Sequence, residues 1–284
     1  MASMVSRYRR CLHQLRAVRV KRGLYIGILV LTWVSPFFAQ TNAGDYAITY
    51  GVNYSSGDRK STIFPSWVGP ASFVYRPWCR VALGIDDDTF VSNNSATGWN
   101  NGTGDLGFEG HLTIWNAHNQ AVNSGDCAAK SNAAITVDYL ATVPVSGTLE
   151  STELVHQTKG TYNRPLTNGN FFANAGIVVT GLSSGGTTQN ALVTANYLRN
   201  LNKDGSWGAE GEVDLQSSSK VGPSSASVLF AFDRALGKNQ NWGIRFGTSV
   251  GVTPYAPKVS PFFQLSYNGS FKPKKKLTPS VLRE

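Results

Sequence analysis

The chain has few charged residues. Asp, Glu, Lys and Arg make up 15% of its 284 residues, whereas an ordinary soluble domain has roughly 25%. Its three cysteines and four histidines show no CxxC or HxxxH spacing, which argues against a metal site. It also lacks a GxSxG motif, and no serine lies at a spacing from a histidine and an acid that would indicate a catalytic triad. We therefore expect no enzyme activity, no metal and no cofactor.

The basic residues lie mainly at the two ends of the chain. The net charge is +9, but residues 1–43 contain seven basic residues and no acid, and residues 272–284 contain five against one acid. The region between them keeps 14 basic and 16 acidic residues. Because a nucleic-acid-binding domain needs a basic patch on its folded part, we expect no nucleic acid partner.

The N-terminus has the three parts of a secretory signal peptide. Residues 1–22 are basic, residues 23–39 are apolar, and small residues precede a cleavage point between Ala43 and Gly44. An uncleaved membrane anchor is the alternative. The apolar run is short for the roughly 17–25 residues that span a bilayer, and Pro36 interrupts it. We predict a signal peptide over 1–43, one domain over 44–271, and a basic periplasmic tail over 272–284.

Two cysteines remain after cleavage, since Cys11 leaves with the leader. An exported protein folds in an oxidising compartment, where disulfides form and persist. Cys79 and Cys127 are therefore a candidate disulfide, and two separate buried thiols are the alternative.

Apolar and polar residues alternate along most of the chain after Gly44. In 205–216, for example, Val213 and Leu215 lie on one face, while Glu212 and Asp214 lie on the other. The alternation predicts about twelve strands: 45–54, 66–76, 78–85, 104–115, 133–145, 152–162, 170–180, 188–198, 205–216, 225–234, 240–250 and 260–271. Strands of about ten residues with one apolar face are typical of membrane-spanning barrels. We predict an all-β fold, an up-and-down antiparallel transmembrane β-barrel.

Closure of such a barrel would direct the polar face of each strand into the lumen. The candidate lumen-lining residues are Asp105, Glu109, His111, Asp138, Lys159, Glu210, Glu212, Asp214 and Arg245. They could form a path that selects solutes by charge. The alternative is a packed network of ion pairs that plugs a narrow barrel.

An internal repeat of 35 residues marks the turns. It relates Tyr162, Tyr197 and Phe232, also Arg164, Arg199 and Arg234, and also Phe172, Trp207 and Trp242. This length fits two strands, a short turn and a longer loop. We expect the aromatic residues at the membrane interface and the arginines in the aqueous rim. If both termini are periplasmic, these turns are too, so 86–102 and 216–224 are external loops and 116–131 is a long periplasmic connection.

Several segments resemble a known family. They are GTGDLGFEGHLTIW, ITVDYLATVPVSG and VGVTPYAPKVSPFFQLSYNGSF, and they resemble the outer-membrane barrel family labelled for the MetA pathway of phenol degradation over roughly residues 66–271. The resemblance implies a barrel in the outer membrane of a Gram-negative bacterium that transports apolar compounds, and it implies no catalytic residues.

The last predicted strand looks like the signal that the barrel-assembly machinery recognises. Its residues are Phe263, Leu265, Tyr267, Gly269 and Phe271. That signal usually ends a barrel protein, whereas thirteen residues follow it here. The expected partners are outer-membrane lipid, the assembly machinery and a small-molecule solute. The predicted function is a channel or transporter; a plugged structural or surface-interaction barrel, a barrel enzyme and a soluble secreted protein are the alternatives.

Overall fold

The computed structural model describes residues 43–60, 64–95, 98–117, 133–145, 154–181, 186–218, 224–237 and 240–271. The predicted signal peptide, apart from Ala43, and the predicted basic tail lie outside these ranges. The described strands are β1 (Asp45–Ser55), β2 (Ser66–Trp78), β3 (Val81–Ser95), β4 (Gly98–Gly102), β5 (Leu106–Asn116), β6 (Ala134–Val143), β7 (Val155–Leu166), β8 (Gly169–Gly181), β9 (Thr187–Asn200), β10 (Trp207–Ser218), β11 (Ser225–Leu236), β12 (Trp242–Gly251) and β13 (Val259–Ser270). Among the described residues, no helix is long and apolar enough to cross a membrane.

Twelve of these strands form a closed antiparallel ring. β1 pairs with both β2 and β13, β2 pairs with β3, and β3 pairs with β5. From β5 to β13 each strand pairs with the next one in the chain. β4 stands outside the ring and pairs only with the last residues of β3. The predicted up-and-down barrel of about twelve strands is therefore confirmed.

The two faces of the wall differ in character. Along β9 buried and exposed residues alternate without a break from Thr187 to Tyr197. The outward side carries apolar side chains such as Leu83, Ile177 and Phe230, each more than 50% exposed. Residues opposite each other on paired strands share a face, so the strand register carries this division around the ring. Monomeric soluble proteins rarely expose apolar surface of this extent.

The structure corrects the prediction of a loop over 86–102. β3 continues to Ser95, and β4 folds back on it, with Ser92 opposite Asn101. The Ser92 hydroxyl donates a 2.6 Å hydrogen bond to the Asn101 side-chain oxygen. Asn, Ser and Thr occupy both faces here, so the segment forms a strand without the apolar alternation that would predict one.

The structure also corrects the placement of one repeat aromatic. Trp207 and Trp242 lie on the outward face, whereas Phe172 faces the interior and is 9% exposed. Paired residues share a face, and successive residues of a strand alternate between faces. Leu166 and Gly169, which pair across the β7–β8 hairpin, are separated by an odd number of positions, whereas Asn200 and Gly208, which pair across the β9–β10 hairpin, are separated by an even number. The outward position at the start of β8 therefore falls to Phe171 and not to Phe172.

The long connection predicted at 116–131 falls largely on residues that the structure does not describe. Its two ends are Asn116 at the end of β5 and Ala134 at the start of β6, which pair with each other. They lie at the end of the barrel that holds Asp45 and Ser270, because successive strands alternate in direction. We call this the terminal end of the barrel.

Candidate functional site

The interior face of the barrel carries the predicted polar residues. Eight of the nine fall into two groups: Glu109, His111, Asp138 and Lys159 on β5–β7, and Glu210, Glu212, Asp214 and Arg245 on β10–β12. The ninth, Asp105, is buried just before β5. Their role as the lining of a solute path stays a prediction.

The histidine cluster consists of Glu109, His111, Asp138, Lys159 and Thr161. His111 Nε2 lies 2.9 Å from Glu109 Oε2, and His111 Nδ1 lies 2.7 Å from Asp138 Oδ1. The Thr161 hydroxyl donates a 2.5 Å hydrogen bond to the other oxygen of Asp138. When Glu109 and Asp138 are both ionised, both ring nitrogens must donate, and only the imidazolium form of His111 does so.

Strand register produces the histidine cluster. His111 of β5 lies directly opposite Asp138 of β6, and Asp138 lies opposite Lys159 of β7. Glu109 is two positions from His111 on the same strand and therefore shares its face. Gly84 on β3 gives the Glu109 side chain room, since a Cβ at position 84 would lie 2.5 Å from Glu109 Cγ.

The arginine cluster consists of Asn196, Glu210, Glu212, Asp233 and Arg245. The Arg245 guanidinium donates two hydrogen bonds to Glu210, from Nε at 2.9 Å and from Nη2 at 2.6 Å. Its Nε also lies 3.7 Å from Asp233 Oδ1. The Asn196 amide donates to Glu210 and, at 2.8 Å, to Glu212. This is a bidentate ion pair in a network of buried polar groups, a geometry that fixes side-chain positions.

Further acids that the sequence prediction left out of the lumen lie on this interior face, among them Asp233, Asp86 and Asp88. Asp233 is opposite Arg245, and it alternates with outward Phe232, so the period-2 pattern already placed it there. Asp86 lies on β3 opposite Ser72 and Gly107. The sequence pattern does not identify it, because the polar residues of 86–102 predict a loop there. Asp214 lies two positions after Glu212 on the same face of β10, and it accepts a 2.8 Å hydrogen bond from the Thr194 hydroxyl.

Side-chain amides line the wall between the two clusters. Gln157, Asn170 and Asn190 are on the interior face of β7, β8 and β9, and each is at most 8% exposed. Among the described residues, several buried side-chain oxygens there accept no hydrogen bond from protein: those of Gln157, Asn163, Asn170, Asn174 and Asn190. An unpaired buried polar group costs about 1–3 kcal/mol. These oxygens therefore favour an interior that holds water.

The remaining histidines and cysteines that the sequence singled out do not belong to either described cluster. His156 is on the outward face, where its Nδ1 is 2.6 Å from the Tyr139 hydroxyl, so it does not join His111. Cys79 is disulfide-bonded, but Cys127 and His118 lie outside the described residues, so the pairing of Cys79 with Cys127 stays a prediction. The described part of the chain contains no group of three His, Cys, Asp or Glu residues that could hold a metal.

The assembly-signal residues follow one face of β13. Phe263, Leu265, Tyr267 and Gly269 occupy outward positions, opposite outward residues of β1 and β12. Phe271 follows the strand, and its ring centroid lies 4.5 Å from that of Tyr46. The pattern thus sits where the ring closes; its recognition by an assembly machinery stays a prediction.

Several solved structures share this fold at low sequence identity. The COG4313 outer membrane channel from Pseudomonas putida F1 matches with a TM-score of 0.56 and 11% identity, over 83% of this chain and 100% of that one. The NanC porin matches with a TM-score of 0.52 and 9% identity, over 80% and 100%. The translocator domain of the autotransporter NalP from Neisseria meningitidis matches with a TM-score of 0.50 and 9% identity, over 84% and 92%.

No family model matches the chain, and no curated protein matches it either. The shared fold is therefore what the comparisons establish. The resemblance to the MetA-pathway family stays a prediction.

Proposed function

We propose that the protein is an outer-membrane β-barrel of a Gram-negative bacterium that conducts small solutes through a narrow lumen, and that it is not an enzyme. The observation that carries this proposal is the polar interior of a closed barrel. Amide oxygens without a protein partner face inward on β7–β9. Water in the lumen would satisfy them, and a lumen that holds water can pass solutes.

The outward surface supports a membrane location. Its apolar residues would be unfavourable in water but match the hydrocarbon core of a bilayer. Closure of the ring also pairs the backbone groups that lipid could not satisfy. A signal peptide over 1–43 would take the chain across the inner membrane. Two proteins of the same fold are named an outer membrane channel and a porin.

The solute class rests on two different arguments. The two interior clusters contain five carboxyl groups (Glu109, Asp138, Glu210, Glu212 and Asp233) and three basic groups (His111, Lys159 and Arg245). At a pH where all five carboxyl groups are ionised, the excess of acid favours small cations over anions. Apolar compounds are a second proposed class, supported by the family resemblance alone.

Planar-bilayer recording tests conduction. We expect discrete conductance steps and a reversal potential that shows a preference for K⁺ over Cl⁻ in a salt gradient. Replacing both Glu210 and Glu212 with Gln should reduce that preference, while the equivalent carboxyl-to-amide change on the outward face, Asp87→Asn, should leave it unaltered. A folded barrel that inserts and yet gives no conductance would contradict the proposal.

A structural barrel with a closed lumen is the second candidate. The Glu210 side chain is 0% exposed and that of Arg245 is 7% exposed, which favours close packing around the arginine cluster. A closed barrel predicts no conductance and no uptake of solute into liposomes. The bilayer recording therefore separates the two candidates.

A further inference from the structure

The outward face of the barrel is almost uncharged. In the described strands its charged side chains, apart from the titratable His156, are Asp87, Arg164, Arg199 and Arg234, as strand register and exposure show. Three of these four are arginines, and all three belong to the 35-residue repeat. Their side chains are exposed.

The three arginines lie at one level of the barrel. Arg164 is two residues before the end of β7, Arg199 is one before the end of β9, and Arg234 is two before the end of β11. These strands all end at the terminal end. Because neighbouring strands are about 4.8 Å apart, the alternate strands that hold these arginines are roughly 10 Å apart.

Each arginine stands beside aromatic side chains on the same face. Arg164 is opposite Phe171, and the Arg234 guanidinium carbon lies 4.6 Å from the centroid of the Trp207 ring. Arg199 follows Tyr197 by two positions and so shares its face. Aromatic rings with basic side chains beyond them are typical of the boundary between hydrocarbon and lipid headgroups.

We propose that Arg164, Arg199 and Arg234 form a belt that binds the phosphate groups of anionic phospholipids in the leaflet at the terminal end. A guanidinium pairs with two phosphate oxygens at once, and the nearby aromatic ring holds it at headgroup depth. Each arginine near a bilayer surface favours an anionic lipid by about fivefold. The proposal rests on the proposed membrane location and is independent of conduction.

Native mass spectrometry of the full-length mature barrel in detergent tests this belt. The barrel is titrated with phosphatidylglycerol and, separately, with phosphatidylcholine. The variants are the triple Arg→Gln at 164, 199 and 234, and the triple Arg→Lys at the same positions. The matched control removes three exposed positive charges from the opposite end of the barrel: Arg59→Gln, Lys60→Gln and Lys258→Gln.

The wild-type barrel and the control should retain up to three phosphatidylglycerol molecules more tightly than phosphatidylcholine. In the Gln variant each site should weaken by about fivefold, so that the preference for phosphatidylglycerol disappears, while the Lys variant keeps most of it. If the Gln variant fails to fold, phosphatidylglycerol binding that falls as salt is raised in wild type and Lys variant still supports the proposal. Equal binding of the two lipids by the wild-type barrel, or a folded Gln variant that binds like wild type, would overturn it.

Failure of this proposal would be distinguishable from failure of the proposed channel. The Gln variant should conduct like wild type in planar bilayers, since its substitutions lie on the outward face. Loss of lipid preference with normal conductance supports both proposals. Normal lipid preference without conductance leaves the belt in place and contradicts only the channel.

Discussion

Replacing Arg245 with Gln removes the guanidinium that pairs with Glu210 and lies close to Asp233 inside the barrel. Arg245 donates hydrogen bonds of 2.9 and 2.6 Å to Glu210, and the two side chains are 7% and 0% exposed. Solvent therefore screens the pair little, and breaking such a buried pair costs about 3–5 kcal/mol. A Gln side chain can still donate one of the two hydrogen bonds, so we expect a loss of about 3 kcal/mol in the free energy of unfolding.

Urea-induced unfolding of the barrel in lipid vesicles, followed by tryptophan fluorescence, measures this loss. Arg59→Gln, an exposed change of the same chemistry, should alter the free energy of unfolding by less than about 0.5 kcal/mol. A double-mutant cycle with Glu210→Gln isolates the pair. We expect a coupling energy of about 2 kcal/mol between positions 210 and 245.

Two results would refute this reasoning. One is an Arg245→Gln barrel that unfolds at the wild-type urea midpoint. The other is a cycle in which the two single effects add, because additivity would mean that Glu210 and Arg245 do not interact in the folded barrel.

Three further predictions concern the packing of the barrel wall, the disulfide and the stability of the closed barrel in detergent. A Cβ at position 176 would clash with the Thr158 carbonyl oxygen, so Gly176→Ala should destabilise the barrel by about 1–3 kcal/mol. Gly211→Ala, which meets open space, should not; equal urea midpoints for the two variants would contradict the packing. Peptide mapping without reductant should recover a fragment that links Cys79 to Cys127, and a free Cys127 would refute that pairing. On gels the unboiled protein should migrate faster than the boiled one, whereas a single unshifted band would mean that no detergent-resistant barrel forms.

Alternation of apolar and polar residues was enough to predict most strands of the ring and the face of most of their side chains. It succeeds for β9 and β10, which lie between apolar surroundings on one side and polar groups on the other. It fails for 86–102, where polar residues occupy both faces. Apolar and polar residues alternate only where the two faces of a strand lie in different environments. A strand with polar surroundings on both faces therefore shows no alternation that would predict it.

Residue spacing could not predict which positions meet. Phe172 shares the 35-residue spacing of Trp207 and Trp242, yet it faces inward because a two-residue turn precedes β8. The pairs between Arg245 and Glu210, and between His111 and Asp138, likewise depend on strand register. Register follows from turn geometry and packing as well as from local sequence, which is why the sequence could place these residues on a face without pairing them.

The measurement that tests the account most directly is thiol labelling of single cysteines at neighbouring positions of β10, with the unsubstituted protein as control. Asp214→Cys replaces an interior residue, and Val213→Cys replaces an outward residue that is 45% exposed. In intact outer membranes a small, water-soluble methanethiosulfonate should react with the cysteine at 214 and not with the one at 213, while a lipid-soluble maleimide should show the opposite preference. Reaction of the cysteine at 213 with the water-soluble reagent, without reaction at 214, would contradict a barrel with a polar lumen and a lipid-facing wall.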